Sequence, residues 1–176
     1  MTNIKKQFVN EQRFIQRVDA ALPENSMIFQ LPYMVFPEGG KRAQFGDYDH
    51  FKAALHSRRQ RWSFGSMKGR EVAVWQQAVS ALPVEKMVEE LVFMGFRGIY
   101  LCRSAYRDHA KEIEALLTLA IDSPPMLSES NNELFWNLEP YVAHLKSSQT
   151  DVEWNQNTQR VQQQIEWTKR IKSGKQ

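Results

Sequence analysis

The sequence predicts an α/β protein, with a small mixed sheet of about four strands packed against three to four helices. Segments with helical apolar spacing alternate along the chain with short, continuous apolar runs, and this order is typical of sheets that contain parallel strands. Near residue 130, the turn dipeptide Asn131-Asn132 separates two further apolar runs. That arrangement predicts a C-terminal β-hairpin, and therefore an antiparallel part of the sheet.

In the N-terminal half, residues 5–22 have a rough helical apolar face, and Pro23 ends the predicted helix. The apolar run at 27–31 precedes Pro32 and predicts a buried strand. The prolines and glycines that follow predict a loop. The remaining segments are, in order, that loop over 32–46, a short helix within 49–57 and an irregular stretch over 58–70.

In the C-terminal half, the residues that begin and end each element are easier to identify. Residues 71–82 have helical spacing, Pro83 suits the first turn of a second helix, and Gly95 suits its C-terminal cap. The remaining predicted elements are, in order, an apolar strand over 98–102, a helix over 106–121 and two hairpin strands within 126–130 and 133–138.

The composition, 42% hydrophobic and 24% charged, is that of a folded domain. We divide the chain into a single α/β domain over residues 1–146 and a peripheral polar tail over 147–176. In this tail Trp154, Val161, Ile165 and Trp167 can form one face of a helix. No run of about 18 apolar residues and no signal-peptide core is present, so we expect the chain itself to be soluble.

Positive charge is concentrated in residues 41–70. Eight of the 23 basic residues but only two of the 20 acidic ones fall there, so this segment is +6 and the remainder of the chain is −3. Basic side chains mixed with aromatic rings and glycines suit a polar, anionic ligand. The candidate ligand-binding residues in this segment are Tyr48, Asp49, His50, His56, Arg61, Trp62, Lys68 and Arg70.

Several chemistries can be weighed for this segment. Asp49, His50 and His56 are the weak candidates for a general acid or base, because a nearby guanidinium tunes the pKa of such groups. The alternative is that the aspartates bond local backbone N–H groups or pair with arginines. Glycines and cations at 63–70 can bind an anion ahead of a helix, but the order of a nucleotide phosphate loop is lacking.

No metal site, cofactor or nucleic-acid partner is predicted. The acidic and histidine residues match no metal-ligand spacing, and the basic residues match no RNA-binding signature. The single cysteine, Cys102, excludes an intrachain disulfide and a multi-cysteine metal site. Its place in an apolar strand favours a core position over a nucleophilic one.

A series of longer motifs resembles a bacterial family. The series includes FQLPY at 29–33, DYDHF at 47–51, RWSFGSMKGR at 61–70 and GFRGIY at 95–100, followed by Arg103 and Tyr106. Over about residues 14–141, it resembles the soluble C-terminal domain of bacterial polytopic membrane glycosyltransferase-like proteins, often described as sugar translocases or phosphoglycerol transferases. Where that pattern often has an aspartate and a glycine beside the arginine, this chain has Cys102 and Ala105.

The resemblance implies an accessory domain on the extracytoplasmic (periplasmic) face of the inner membrane, rather than a complete enzyme. The implied partners are the membrane-embedded part of the same or a cognate protein and a lipid-linked phosphate sugar or glycan. Residues 47–70 would bind the phosphate-bearing or glycan ligand, with Arg103 as a further ligand-binding residue. Two alternatives stay open: a self-sufficient hydrolase or transferase using Asp49, His50 or His56, and a structural interaction domain without a ligand.

Overall fold

A computed structural model describes the backbone of residues 3–37, 39–46 and 48–172 and, within these, the side chains from 5 to 166. It confirms the α/β fold. The helices are α1 (Asn3–Ala21), α2 (Phe51–His56), α3 (Glu71–Ser80), α4 (Val84–Met94), α5 (Lys111–Ile121), α6 (Glu139–Ser147) and α7 (Asp151–Lys172). The strands are β1 (Met27–Leu31), β2 (Arg61–Trp62), β3 (Phe96–Cys102), β4 (Met126–Leu127) and β5 (Glu133–Asn137).

The strands form one mixed sheet in the order β2-β1-β3-β5-β4. β1 runs parallel to both β2 and β3, whereas β5 runs antiparallel to β3 and to β4. The predicted hairpin is therefore confirmed. The expectation that residues 58–70 are irregular was wrong at β2, which adds a strand to the edge of the sheet. This strand is held through main-chain bonds (Arg61 N–H to Ser26 O, 2.9 Å; Ser63 N–H to Ile28 O, 3.0 Å), which leave no apolar period to detect.

Helices cover both faces of the sheet. One face, the α1 face, packs against α1 and α2, and the other, the α4 face, packs against α3, α4, α5 and α7. Strand β3 separates the two cores by alternation: Tyr100 and Cys102 lie in the α1-face core, whereas Ile99 and Leu101 lie in the α4-face core.

On the α1 face, the Phe135 ring of β5 lies directly over Gly98 of β3. A Cβ atom placed on Gly98 would lie 2.5 Å from the Cε2 atom of Phe135 and 2.9 Å from its Cζ atom. The Phe135 side chain is fully buried and cannot withdraw to solvent. The missing side chain of Gly98 is thus a packing requirement of the two strands.

Two helix boundaries test the predicted caps. Gly95 ends α4 in the left-handed conformation (φ 104°), as predicted. Helix α5 begins five residues later than expected, because His109 and Ala110 have positive φ angles and form a turn instead. The Asp108 carboxylate accepts hydrogen bonds from the backbone N–H groups of Ala110 and Glu112, at 3.0 and 3.1 Å, and so satisfies the start of this helix.

The polar C-terminal segment forms a helix, as the predicted apolar face allows. In α7, Val161 is fully buried, and Trp154 packs against Phe93 of α4 with ring centroids 5.2 Å apart. Tertiary packing thus overrides the poor helix propensity around residues 155–158. Helix α6 was not predicted, and Trp167 and residues 173–176 lie outside what the structure describes. None of the described helices, α7 included, is long and apolar enough to cross a bilayer.

Candidate functional site

The carboxyl ends of the parallel strands meet at one edge of the sheet. From β1 the chain turns to the α1 face, where α2 packs, and from β3 it turns to the α4 face, where α5 packs. The two connections therefore diverge between neighbouring parallel strands. In open α/β sheets this divergence produces a crevice beyond the strand ends, which is the usual place for a ligand.

A crevice of about 530 Å³, which is within the size range of small-ligand sites, lies at the carboxyl end of β3 on the α1 face. Its apolar wall comes from Phe14, Phe45 and Tyr100. Its charged lining residues are Lys6, Glu11, Asp49, Lys52 and Glu133. Its neutral polar lining residues are Gln7, Asn10, Gln44, Ser104, Ser130 and Asn132. We call this site the β3 crevice.

Asp49 and Lys52 form an ion pair on one wall of the β3 crevice, with 2.8 Å between Oδ1 and Nζ. The second Asp49 oxygen accepts the backbone N–H of Gly46 at 2.6 Å. Burial by itself raises the pKa of Asp49, but the Lys52 ammonium and the Gly46 N–H outweigh it and hold that pKa below its ordinary value. Burial acts to lower the pKa of Lys52, yet the bond to Asp49 raises it overall. Both groups are therefore charged at neutral pH.

Glu133 supplies the opposite wall, at the start of β5. Its side chain is almost buried, and its two oxygens accept the Ser130 hydroxyl at 2.9 Å and the Asn132 amide at 2.7 Å. A carboxylate can accept about four hydrogen bonds. Glu133 is thus oriented by the hairpin turn and retains acceptor capacity toward the crevice.

Cys102 lies at the inner end of the β3 crevice but is not a nucleophile in this setting. The residue is buried, and burial raises the pKa of its thiol far above the ordinary value. The thiol therefore stays protonated, and a protonated thiol is a poor nucleophile. Burial likewise raises the pKa of the neighbouring Tyr100 hydroxyl well above its ordinary value.

His50 belongs to a buried network centred on Gln30 of β1, which we call the Gln30–His50 network. The Gln30 amide donates to the His50 carbonyl at 2.9 Å and accepts the backbone N–H of Phe64 at 3.1 Å. The His50 ring donates from Nε2 to the Pro32 carbonyl at 2.8 Å, and its Nδ1 lies 3.4 Å from the Gln30 amide nitrogen. These bonds hold the loop after β1 and the loop after β2 against β1 itself.

Burial lowers the pKa of His50 to about 4, against an ordinary value of 6.5, despite the opposing effects of Pro32 O and Asp49. The imidazole is therefore neutral at physiological pH. Its tautomer with hydrogen on Nε2 fits the network, because Nδ1 can then accept from Gln30. A neutral ring with both nitrogens engaged is placed to hold loops together.

This pKa predicts acid sensitivity. The unfolded chain binds the His50 proton below pH 6.5, whereas the folded chain binds it only near pH 4, so stability is complete above pH 6.5 and is lost as the pH falls toward 4. Between pH 7 and pH 5, this residue should remove about 2 kcal/mol from the free energy of unfolding.

The measurement is urea unfolding at both pH values. His50→Gln should reduce the difference, since an amide keeps a donor without titrating, whereas the exposed control His144→Gln should keep it. An equal difference in both variants would contradict the assignment.

The structure separates most of the other candidate residues from the β3 crevice. The His56 ring contacts Phe8 (centroids 4.5 Å apart) and lies 3.9 Å from a Glu11 oxygen, toward the end of α2. Arg61 lies beside the start of β1, at the end of the parallel strands away from the crevice, where its side chain donates to the Asn25 carbonyl at 2.9 Å. Trp62 packs against Tyr100, with 5.4 Å between ring centroids.

The remaining candidates lie on other surfaces. Arg103 is held by Glu114 of α5 in a two-bond ion pair (2.9 and 2.6 Å) and also donates to the Asn131 carbonyl. Lys68 and Arg70 are exposed on the loop before α3, and Tyr48 is exposed beside α2. Of the candidate residues, Asp49 lines the β3 crevice. Asp47, in the same motif, lies outside the described residues.

Sequence analysis did not identify Glu11, Lys52 and Glu133 as parts of a site. They come from α1, α2 and β5, and no local pattern joins segments so far apart. The spacing of Asp49 and Lys52 around a helix start was the one available signal. In the described part of the chain, no three His, Cys, Asp or Glu side chains converge to hold a metal ion.

The chain is thus an α/β domain with a polar crevice at the carboxyl end of β3. No protein-family model matches this chain, and no curated protein or solved structure is significantly similar to it. What remains to indicate a function is the chemistry of the crevice and the motif resemblance.

Proposed function

We propose that this chain is a ligand-binding domain whose β3 crevice takes a hydroxyl-rich ligand of the glycan class. The observation that carries the proposal is the lining of the crevice, in which acceptors, donors and aromatic carbon lie around one cavity at the carboxyl end of β3. We further propose, from the motif resemblance, that the domain acts as an accessory part of a membrane glycosyltransferase-like protein on the extracytoplasmic face.

The chemistry of the lining favours a sugar over a phosphate group. Sugar hydroxyls donate to carboxylates, here Asp49 and Glu133, and accept from amide groups such as that of Asn132. Apolar carbon in the lining, here from Phe14, Phe45 and Tyr100, suits the apolar side of a sugar ring. The three carboxylates of the crevice outnumber its two lysines, and this local charge opposes a phosphate.

The state of the side chains that could react supports binding rather than catalysis. Cys102 is protonated and buried, and His50 is neutral with both ring nitrogens engaged. Asp49 is committed to Lys52 and Gly46. An activated nucleophile needs a neighbouring base that can take its proton, and these three groups do not supply such a pair.

The test is titration of the ¹⁵N-labelled chain with neutral oligosaccharides and, separately, with inorganic phosphate. We expect saturable shifts of the Ser104, Asn132 and Glu133 amide signals with an oligosaccharide. Glu133→Gln should weaken that binding about ten-fold, since a hydrogen bond to a charged group contributes about 1.5–3 kcal/mol and one to a neutral group about 0.5–1.5 kcal/mol. The matched control is Glu112→Gln, an exposed site on α5. A folded parent chain that shows no such shifts, or a Glu133→Gln variant that binds like the control, would overturn the proposal.

The second candidate is a structural interaction domain, and the Gln30–His50 network favours it. Two of the motifs that carry the family resemblance, FQLPY and DYDHF, supply the residues of this network, and there they hold the chain's own loops. Under this alternative the motifs maintain the fold, and the oligosaccharide titration leaves every amide signal unchanged.

A further inference from the structure

A second surface lies along α2. Tyr48, Phe51 and Leu55 are spaced three and four residues apart, so they lie along one side of this short helix, and Phe36 and Met67 extend the same surface. We call these five residues the aromatic face. The Asp49–Lys52 pair lies on the crevice side of the same helix.

The aromatic face is supported by a cluster of rings. Phe36 contacts both Phe51 (centroids 5.6 Å apart) and Phe64 (5.7 Å), Phe51 contacts Phe64 (4.9 Å), and Tyr48 stacks on Phe51 at 6.2 Å. The outer members remain in solvent: Leu55 is 79% exposed, Tyr48 56% and Met67 55%. A rigid base thus presents several large apolar side chains together, and such contiguous exposure marks interaction sites rather than scattered surface residues.

Positive charge accompanies this apolar surface. Of the eight basic residues in 36–70, Lys68 and Arg70 lie beside the aromatic face, whereas Lys52 pairs with Asp49 and Arg59 with Glu24. Lys68 and Arg70 flank the aromatic face through backbone bonds, in which Lys68 N–H donates to Phe36 O at 2.8 Å and Arg70 N–H to Met67 O at 3.0 Å. Both side chains are exposed and make no ion pair with the described residues.

We propose that the aromatic face docks this domain onto the surface of an anionic lipid bilayer. Basic residues are attracted to the negative headgroups, while leucine, methionine and tyrosine tips enter the interfacial region, where the amphipathic tyrosine ring is favoured. The outer apolar side chains, Leu55, Tyr48 and Met67, protrude into solvent. A bilayer accepts protrusions of any outline, whereas a protein partner needs a matching cavity.

This docking would also orient the β3 crevice. Because α2 carries both the aromatic face and the Asp49–Lys52 wall, docking fixes the orientation of the crevice relative to the headgroup layer. The inference does not require that a sugar binds in the crevice, since the two surfaces use different side chains.

The test is flotation of the full chain with phosphatidylcholine vesicles, with and without phosphatidylglycerol. The parent should float with the anionic vesicles, less so at high salt, and stay unbound with the neutral ones. The double variant Leu55→Asp, Met67→Asp should lose binding about ten-fold or more, and Lys68→Gln with Arg70→Gln should lose about thirty-fold. The matched control is Leu119→Asp, since Leu119 is 75% exposed on α5, on the α4 face.

Circular dichroism of each variant separates loss of binding from loss of fold. A folded parent that fails to float with anionic vesicles would overturn the proposal. So would equal binding to neutral and anionic vesicles, or equal losses in the Leu55→Asp, Met67→Asp variant and the Leu119→Asp control.

Discussion

Replacement of Gln30 by leucine should lower the free energy of unfolding by about 4 kcal/mol. The amide of this buried residue satisfies the Phe64 N–H and donates to the His50 carbonyl, so leucine leaves the Phe64 N–H without a partner and removes one bond from the His50 carbonyl. Each orphaned buried polar group costs about 1–3 kcal/mol, and the His50 ring also loses its Nδ1 neighbour. Urea unfolding monitored by tryptophan fluorescence measures the change.

The matched control for this variant is Gln77→Leu, which makes the same substitution at an exposed position of α3. A surface change of this kind should stay within about 0.5 kcal/mol of the parent. If Gln30→Leu also stayed within that range, the Gln30–His50 network would have no role in holding the loops.

Replacement of Gly98 by alanine should lower the free energy of unfolding by about 3 kcal/mol. The new methyl group would meet the Phe135 ring at 2.5 Å, and the adjacent Leu22 side chain at 3.4 Å limits movement on that side. Overpacking a close-packed core costs about 1–3 kcal/mol, and the short contact here is with a buried ring. Chemical denaturation gives the change in the free energy of unfolding.

A double-mutant cycle identifies the cause. Phe135→Leu alone should destabilise the chain by removing ring carbon from the core, but in the Gly98→Ala background it should cost less, because it also relieves the clash. If the two single effects simply add, the alanine methyl group and the Phe135 ring are not in conflict, and the stated reason is incorrect.

Elements with local signals could be predicted from sequence. The strand at 27–31 is indicated by an apolar run that precedes a proline. The end of the helix before Gly95 is indicated by that glycine, which adopts the left-handed conformation. Strand β2 could not be predicted in this way, since two residues bonded through their main chain leave no pattern. The start of α5 was displaced by the Asp108 cap, which competes with an otherwise continuous helical period.

The candidate site was harder to predict for a geometric reason. Basic residues that are clustered in sequence suggest a single charged surface. Residues 61–64 instead run alongside β1, so Arg61 lies beside the start of β1. Lys68 and Arg70 follow beyond the end of β1, on the loop that is bonded to Phe36. The β3 crevice instead gathers Glu11, Lys52 and Glu133 from three distant elements. Only the packing of α1, α2 and the hairpin around the end of β3 brings these side chains together.

The lengths of the two outermost strands bear on how copies of this chain behave at high concentration. β2 and β4 each contribute only two residues, while the longer apolar strands β1, β3 and β5 lie inside the sheet. An edge strand is a template for pairing with another chain, and a two-residue edge offers few open main-chain groups for it. The segments with the strongest tendency to self-associate are thus flanked by edges too short to seed an intermolecular sheet.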